Sequence, residues 1–361
     1  MEHAYSRNAL MTQDTAPMRP GEQIDLSPLR SFLRHKLPAA GELFEIRQFP
    51  GGHSNLTYLL HCEGGEYVLR RPPFGPVAPK AHDMAREFRV LQAVGPHFPY
   101  APRVHLLCED NSVLGTVFYL MERRRGVILR REAAPEFSAL TDYSQRASEA
   151  FIECLAELHS IDIRRGGLDS LGRPEGFLER QVRGWTERWE LSKTTDLPQM
   201  QRLSGWLTRN RPVSQPPTLV HNDFKLDNVM LDPHDPGRVV AVLDWEMTTV
   251  GDPLVDLGIV LCYWPEAEDP RVRREAISPL TTQRGWFRRK QLLERYHART
   301  GLDLSAIRYY EVFGVFKLAV VLQQIYYRYF VGQTGDERFR DFDARVRGLA
   351  DAAVLVMESA G

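Results

Sequence analysis

The sequence predicts an α+β chain in two parts: a small strand-rich part holding a five-stranded antiparallel sheet and one helix, then a larger, mainly helical part. Two observations predict it. Up to about residue 122, short β-branched and aromatic runs alternate with Gly and Pro punctuation, and beyond Gly126 apolar residues recur at helical spacing. A third observation sets the chain apart from a plain α+β protein: one island of strand and hairpin, Leu219–Trp245, interrupts the helices and carries several acidic residues.

The elements follow in order. Leu26–Leu37 has helical spacing and stops at Pro38. Leu43–Phe49 and Leu56–Cys62 read as strands joined by a glycine-bearing loop, and Glu66–Arg70 as a third strand ended by Pro72-Pro73. A helix at about Ala81–Val94 carries Met84, Phe88 and Leu91 on one stripe, and strands at Val104–Glu109 and Val117–Glu122 complete the sheet. Helices are then expected at Tyr143–Ile161, Glu179–Glu190, Met200–Asn210, Arg288–Thr300, Leu304–Thr334 and Asp336–Glu358. Within the island, Asn228–Leu231 and Val239–Leu243 are the hairpin arms and Pro233–Gly237 the turn. The expected division is a flexible tail over 1–20, a first lobe over 21–122 and a second lobe over 123–361.

Composition narrows the function classes. With 361 residues, 43% apolar and 26% charged, the chain has the make-up of an ordinary globular protein with ample length for a core. A formal net charge of -1 gives no global field to recruit nucleic acid or an anionic membrane. Cys62, Cys108, Cys154 and Cys262 are scattered, which suits reduced thiols better than a disulfide framework or a zinc site. No apolar run reaches the roughly 18–20 residues of a membrane span, and the polar start has no secretory pattern, so a cytoplasmic setting is expected.

The chemistry concentrates in Leu219-Val-His-Asn-Asp-Phe-Lys-Leu-Asp-Asn228 and Val240-Ala-Val-Leu-Asp-Trp245. One apolar strand ends in His221 and Asp223, a second in Asp244. Buried carboxylates cost several kcal/mol each unless compensated, and a divalent cation compensates them economically. Asn228 and Asp244 offer the small oxygen-only set that Mg²⁺ takes when nucleotide phosphates complete its shell. Asp223 is then free to accept a hydroxyl proton. An acidic surface hairpin without chemistry is the bland alternative.

An Asp base, an Asn five residues on and a metal Asp after a hairpin resemble the catalytic centre of the kinase superfamily. The spelling His-x-Asp-Phe-x-x-x-Asn with Asp-Trp-Glu, and Gly251-Asp-Pro-Leu-Val-Asp256-Leu-Gly, are similar to the aminoglycoside phosphotransferase-like (choline kinase) family. The resemblance runs from Gly51 to Asp256 in its motifs. It implies a protein-kinase-like two-lobe fold, a nucleotide-binding first lobe, ATP and Mg²⁺ as cofactors, Asp223 as catalytic base and Asn228 and Asp244 as metal ligands.

Further sites follow from the same resemblance. Backbone N–H groups of Gly51, Gly52 and Ser54 would meet phosphate oxygens, although a Gly-Gly hairpin turn explains that segment equally well. Arg70 stands where the family usually has a phosphate-gripping lysine, and Glu87, bordering the apolar stripe of its helix, is the expected partner. Met121, Glu122 and Arg124 fall at the hinge, with the Glu122 carbonyl and Arg124 amide set against adenine. His159, His221 and Asp256 read as residues that orient the loop, and Asp252 as either that or a substrate contact.

The acceptor has to be read from the second lobe. Arg123, Arg124, Arg125, Arg130 and Arg131, then Arg271, Arg273, Arg274, Arg284, Arg288, Arg289 and Lys290, bias the chain against a polycation and toward a phosphate- or carboxylate-bearing acceptor. Lys317, Gln324 and Arg328, at i, i+7 and i+11, share one helix stripe that is either a surface face or a pocket wall for substrate. Tyr67-Val-Leu-Arg-Arg-Pro-Pro and Ala81-His-Asp-Met-Ala-Arg-Glu-Phe resemble kinase domains fused to acyl-CoA dehydrogenases and bacterial kinases of 4-hydroxyacyl-CoA, where the strand-three arginine is usual. The expectation is therefore an ATP-dependent phosphotransferase acting on a small-molecule hydroxyl, a 4-hydroxyacyl-CoA among the candidates. Another small alcohol (aminoglycoside, choline-like or sugar-like) and an inactive nucleotide-binding scaffold are the alternatives. Neither nucleic acid nor membrane is an expected partner, and the sequence does not give the oligomeric state.

Overall fold

The computed structural model describes residues 14–50, 55–74 and 82–359. The chain divides into two compact units, Met1–Arg125 and Gly126–Gly361.

In the first unit, α1 (Leu26–Lys36) is capped by the Asp25 carboxylate, which accepts from the Ser27 amide. Strands β1 (Leu43–Gln48), β2 (Leu56–Cys62) and β3 (Gly65–Arg71) form a meander, followed by α2 (Met84–Val94), β4 (Val104–Cys108), the single turn α3 (Asn111–Leu114) and β5 (Phe118–Glu122). The sheet is five-stranded and antiparallel, in the order β1-β2-β3-β5-β4. Its central strands are almost wholly apolar (Tyr58, Leu60, Leu69, Phe118 and Leu120 are buried) because one face packs on α1, through Leu29 and Leu33. Helix α2 buries Met84, Val90 and Leu91, with Glu87 among them. The sheet, α2 and most strand ends are as the sequence predicts.

The second unit opens with β6 (Val127–Ile128) and continues through α4 (Tyr143–His159), α5 (Phe177–Ser192) and α6 (Pro198–Arg209). Then come β7 (Thr218–Val220), β8 (Val229–Asp232), β9 (Asp235–Val242) and β10 (Thr249–Gly251). Strands β6, β8 and β9 make one small sheet, and β10 pairs with β7. The hairpin is tighter than the sequence suggests. Asp232 pairs with Asp235, so Pro236 and Gly237 belong to the strand and Pro233-His234 alone turn the chain. Helices α7 (Leu254–Cys262), α8 (Arg271–Ala276), α9 (Arg289–Thr300), α10 (Ile307–Phe330) and α11 (Phe342–Glu358) complete the unit.

Helix α7 was not expected, and its sequence explains why. All nine of its residues are buried, so it has no polar face and no 3.6-residue stripe. It crosses α10 at two glycines. A Cβ on Gly258 would lie 2.2 Å from the Tyr310 carbonyl oxygen, and one on Gly314 2.5 Å from that of Gly258. Only glycine allows this approach, which brings the middle of α10 close to the segment between β7 and β8.

Candidate active site

The segment between β7 and β8 is where the chain spends its buried polar groups. Strand β7 delivers His221 and Asn222 to the interior, 0% and 3% exposed. Asp256, near the start of α7 and fully buried, receives both of their amides: His221 N–H donates to Oδ2 and Asn222 N–H to Oδ1, each at 2.6 Å. The His159 ring, at the end of α4, contacts Asp256 Oδ2 through Nε2 at 3.1 Å and the Tyr296 hydroxyl through Nδ1 at 2.7 Å. Burial alone would raise the Asp256 carboxyl. The His159 bond and charge, with the loop amides, outweigh it and hold Asp256 below the ordinary carboxylate value.

Two residues here carry backbone conformations that side chains usually avoid. Asn222 has φ 64 and Asp244 φ 67, two of only three non-glycine positive-φ residues among the described residues. The Asn222 turn reverses the chain after β7 so that Asp223 emerges half-exposed while Phe224 stays buried. His221 fixes the geometry across the gap. Its Nδ1 accepts from the Asp223 amide at 3.3 Å, which leaves Nε2–H to donate to the Leu243 carbonyl at 3.0 Å. Burial pushes the His221 imidazole down, against the pull of Asp256, Asp223 and Asp244, and this keeps it neutral as the two-bond pattern requires.

Asp223 and Asn228 are in direct contact, and the backbone that leads into Asp244 is bonded to Asn228. Asn228 Nδ2 donates to the Asp223 carbonyl at 2.8 Å and to Asp223 Oδ2 at 2.9 Å. The Asn228 carbonyl accepts from the Leu243 amide at 2.8 Å, which sets Asp244 beside it at the end of β9. With its amide nitrogen bonded to Asp223, Asn228 has a side-chain oxygen that could accept a cation. That oxygen and the Asp244 carboxylate are a donor set that suits Mg²⁺ with phosphate oxygens in the other positions. No group of three or more His, Cys, Asp and Glu residues able to hold a metal occurs among the described residues, so a cation here would depend on its nucleotide for most ligands.

Sequence reasoning missed Lys225. Its ammonium bonds both oxygens of Asp223, at 2.9 and 2.7 Å, and lies 5.1 Å from the Tyr263 ring centroid. Burial would lower Lys225, but Tyr263 and the Asp223 carboxylate outweigh it and hold the ammonium above its ordinary value. Its place two residues after Asp223, within the same turn, was the available signal. Asp252 resolves as structural: it accepts from the Leu254 amide and from the Tyr310 hydroxyl at 2.7 Å.

Other sites predicted from sequence are placed as follows. Gly51, Gly52 and Ser54 lie outside the described residues. In the first unit Arg70, on β3, meets the buried Glu87 of α2 at 3.1 and 3.2 Å. Met121 is buried on β5, and the Glu122 carboxylate accepts from the Arg103 amide at 2.7 Å and from Arg124 Nε at 2.8 Å. In the second unit Lys317 is 7% exposed and donates to the Asn222 carbonyl, whereas Gln324 is half-buried and Arg328 exposed further along α10.

Among the described residues, five of the seven cations in the later basic run are already paired, Arg274 and Arg284 being the exceptions, which weakens the field for an anionic acceptor that the sequence suggests. Arg271, Arg273, Arg288, Arg289 and Lys290 each meet a carboxylate, Arg289 binding Asp269 in a fork at 2.7 Å through each nitrogen. Among the earlier arginines, Arg123, Arg124 and Arg125 are likewise paired, with Asp14, Glu122 and Glu66. Arg130 and Arg131 differ. Both are exposed, and no ion pair forms at either among the described residues.

A half-exposed carboxylate held by a lysine and an asparagine five residues on, with a second acidic residue following the paired strand, fits the arrangement of kinase-like phosphotransferases. The chain belongs to the phosphotransferase enzyme family, whose model matches residues 45–292, and that membership makes it a small-molecule phosphotransferase. It is 38% identical over 337 residues to mouse acyl-CoA dehydrogenase family member 11, covering 91% of this chain and 42% of that protein. With mouse acyl-CoA dehydrogenase family member 10 it shares 33% identity, over 94% of this chain and 32% of that one. The chain thus spans less than half the length of these relatives. A Ralstonia eutropha JMP134 protein assigned as an aminoglycoside phosphotransferase superposes with TM-score 0.76 at 29% identity, covering 94% of this chain and all of that one. The aminoglycoside phosphotransferase APH(4)-Ia, in a ternary complex with AMP-PNP and hygromycin B, superposes with TM-score 0.59 at 18% identity over 92% of this chain, a likeness of fold.

Proposed function

We propose that this chain transfers the γ-phosphoryl group of ATP to the hydroxyl of a small acceptor, an acyl-CoA such as a 4-hydroxyacyl-CoA. The carrying observation is the Asp223 carboxylate, presented half-exposed on a strained turn with Lys225 and Asn228 on its oxygens. Asp223 orients the acceptor hydroxyl and takes its proton as the oxygen–phosphorus bond forms and ADP leaves. Lys225 keeps that carboxylate charged and turned to one side. Asn228 and Asp244 are the residues that would hold Mg²⁺, which when bound spreads the charge of the transferring phosphoryl group. Arg70, fixed by Glu87, grips nucleotide phosphate as a fork, with the backbone at Gly51, Gly52 and Ser54 and the Met121, Glu122 and Arg124 segment as the other nucleotide contacts.

The acceptor reading rests on two supports. The relatives spanning nearly all of this chain are named acyl-CoA dehydrogenase family members. Arg130 and Arg131 are the second. Arg130 and Arg131 lie just past β6, whose partner β8 begins immediately after Asn228. Their charges bear on Asp227 and so reach the loop. Exposed arginines that form no ion pair among the described residues suit the phosphate or carboxylate of an acceptor, with Gln324 and Arg328 as further contacts on α10. No helix among the described residues is long and apolar enough to cross a membrane, and all four cysteines are free and buried, in keeping with a cytoplasmic setting.

The test is ADP release from Mg-ATP with a 4-hydroxyacyl-CoA, an aminoglycoside or choline as acceptor, with the product identified by mass. The thioester should gain a phosphate, and Asp223→Asn should slow that step by 10²–10⁴-fold with ATP affinity little changed. Turnover of the aminoglycoside or choline alone would overturn the acceptor, and full activity of Asp223→Asn would overturn the base.

A further inference from the structure

Among the described residues, Lys317 is the one deeply buried lysine that the phosphotransfer chemistry leaves without a role. It sits mid-way along α10, 7% exposed, with its ammonium 2.5 Å from the Asn222 carbonyl oxygen and 5.2 Å from the centroid of the Trp185 ring on α5. Burying an ammonium is costly, and a core that needed only volume would hold a leucine or methionine here. Lys317 also reaches an unusual target. Asn222 is the left-handed residue of the turn, its amide is already held by Asp256, and its side-chain nitrogen donates to the Met247 carbonyl at 3.0 Å. The carbonyl is the remaining handle on the peptide unit that leads into Asp223.

We propose that Lys317 is a positioning residue: by holding the Asn222 carbonyl it locks the left-handed turn that aims the Asp223 carboxylate. The catalytic consequence rests on the phosphotransfer reading, whereas the mechanical claim does not. Asp256 and Lys317 grip the same residue from its two ends, one at the amide and one at the carbonyl. With φ fixed near 64°, a conformation that costs on the order of 1–3 kcal/mol for a non-glycine residue, release of either end lets the peptide relax toward negative φ. The groups that face the ammonium are few. Asp223 and Lys225 come from the loop and Asp256 and Cys262 from α7, while α5 presents the Trp185 ring, on which Arg188 also stacks. Neither carboxylate forms an ion pair with Lys317, so the Asn222 carbonyl is its principal acceptor.

The experiment compares wild type, Lys317→Met, Lys317→Arg and Asp223→Asn in the full chain. Three quantities are measured: ADP release from Mg-ATP with 4-hydroxyacyl-CoA and with water as acceptor, the KM for ATP, and amide hydrogen exchange at residues 219–228. Lys317→Met should lower kcat at least tenfold with the KM for ATP within twofold. Exchange at Asn222 and Asp223 should quicken by a similar factor, while the β1–β5 sheet exchanges as in wild type. Lys317→Arg, which keeps a cation but not its shape, should fall between. If Lys317→Met does not fold, the Arg variant carries the measurement: exchange at 222–223 equal to wild type would overturn the proposal. Unchanged exchange in Lys317→Met would overturn it too, whatever the activity. Quickened exchange in a protein whose wild type releases no ADP upholds the tether and brings down the phosphotransfer reading alone.

Discussion

Two lysines reach the loop between β7 and β8, Lys225 from within it and Lys317 from the middle of α10, and their surroundings push them in opposite directions. Lys225 is half-buried with both Asp223 oxygens in bonding range, and it is held above its ordinary value. Lys317 is buried against a carbonyl and an aromatic ring, and burial pushes it down to about 8 although Asp223 and Asp256 pull it back. A carbonyl offers a dipole where a carboxylate offers a full charge, so it compensates less of the cost of burying an ammonium. Lys225 is suited to staying charged beside the reacting groups, and Lys317 to holding backbone.

The largest expected effect falls on Asp256, the anchor of the loop that both lysines reach. Asp256→Asn removes a buried charge that accepts from two amides and from His159, and it turns an N–H group toward one of those amides. Leaving such groups unpaired should cost about 3–5 kcal/mol in urea unfolding. The carboxyl is held below its usual value, so its stabilisation is complete at neutral pH and is lost as pH falls through that lowered folded value. The wild type and the Asn variant should therefore converge in acid. A constant gap down to pH 2 would mean that shape, and not charge, anchors the loop.

Second comes Lys225→Met, which leaves Asp223 without its cation. Turnover should drop by about 10²-fold, near 2.7 kcal/mol, as is common when one charged donor leaves a reacting centre, with little change in unfolding stability because the site is half-exposed. The same substitution at Lys317 should move loop exchange as well as turnover. If the two variants cannot be told apart by exchange, the division of labour between the lysines fails.

The pH dependence of stability sharpens the contrast further. Lys317 has a folded value near 8 and an ordinary one near 10.5, so between those limits the unfolded chain binds the extra proton. Stability from this group therefore rises with pH across that window. Relative to Lys317→Met, the wild type should gain about 2 kcal/mol between pH 7 and 10. A flat difference would mean that the lysine stays charged, as Lys225 does.

The sequence made the covalent order of the site legible and hid what holds it. Asp223, Asn228 and Asp244 announce themselves because polar residues at the ends of apolar strands break a pattern, and Glu87 because it borders an apolar stripe. Asp256, 34 residues from the Asn222 amide, was legible only through the Gly-Asp-Pro-Leu-Val-Asp motif that the chain shares with a known family. Lys317 belongs to no such motif, and, at 95 residues from the carbonyl it holds, no local period links it to the loop. Helix α7 was invisible for the opposite reason, having no polar face to set a period. The later basic run misled because composition counts cations without showing that Arg289 and Arg273 already lie against Asp269 and Glu311.

The smallest effect is expected in the first unit, where an arginine stands in a place that a lysine could fill. Arg70 meets Glu87, itself 1% exposed, and a guanidinium cannot be neutralised by burial as an ammonium can. Arg70→Lys asks which of the two lysine patterns such a place would impose. With a carboxylate about 3 Å away it should follow Lys225 and stay charged. Stability should then change by less than about 1 kcal/mol, and the KM for ATP should rise no more than about tenfold, through loss of the fork. That rise should be the same at pH 7 and 9. Should ATP affinity in the variant instead fall as pH passes 8, the new lysine is behaving as Lys317 does, and the Glu87 carboxylate is too poorly placed to offset burial.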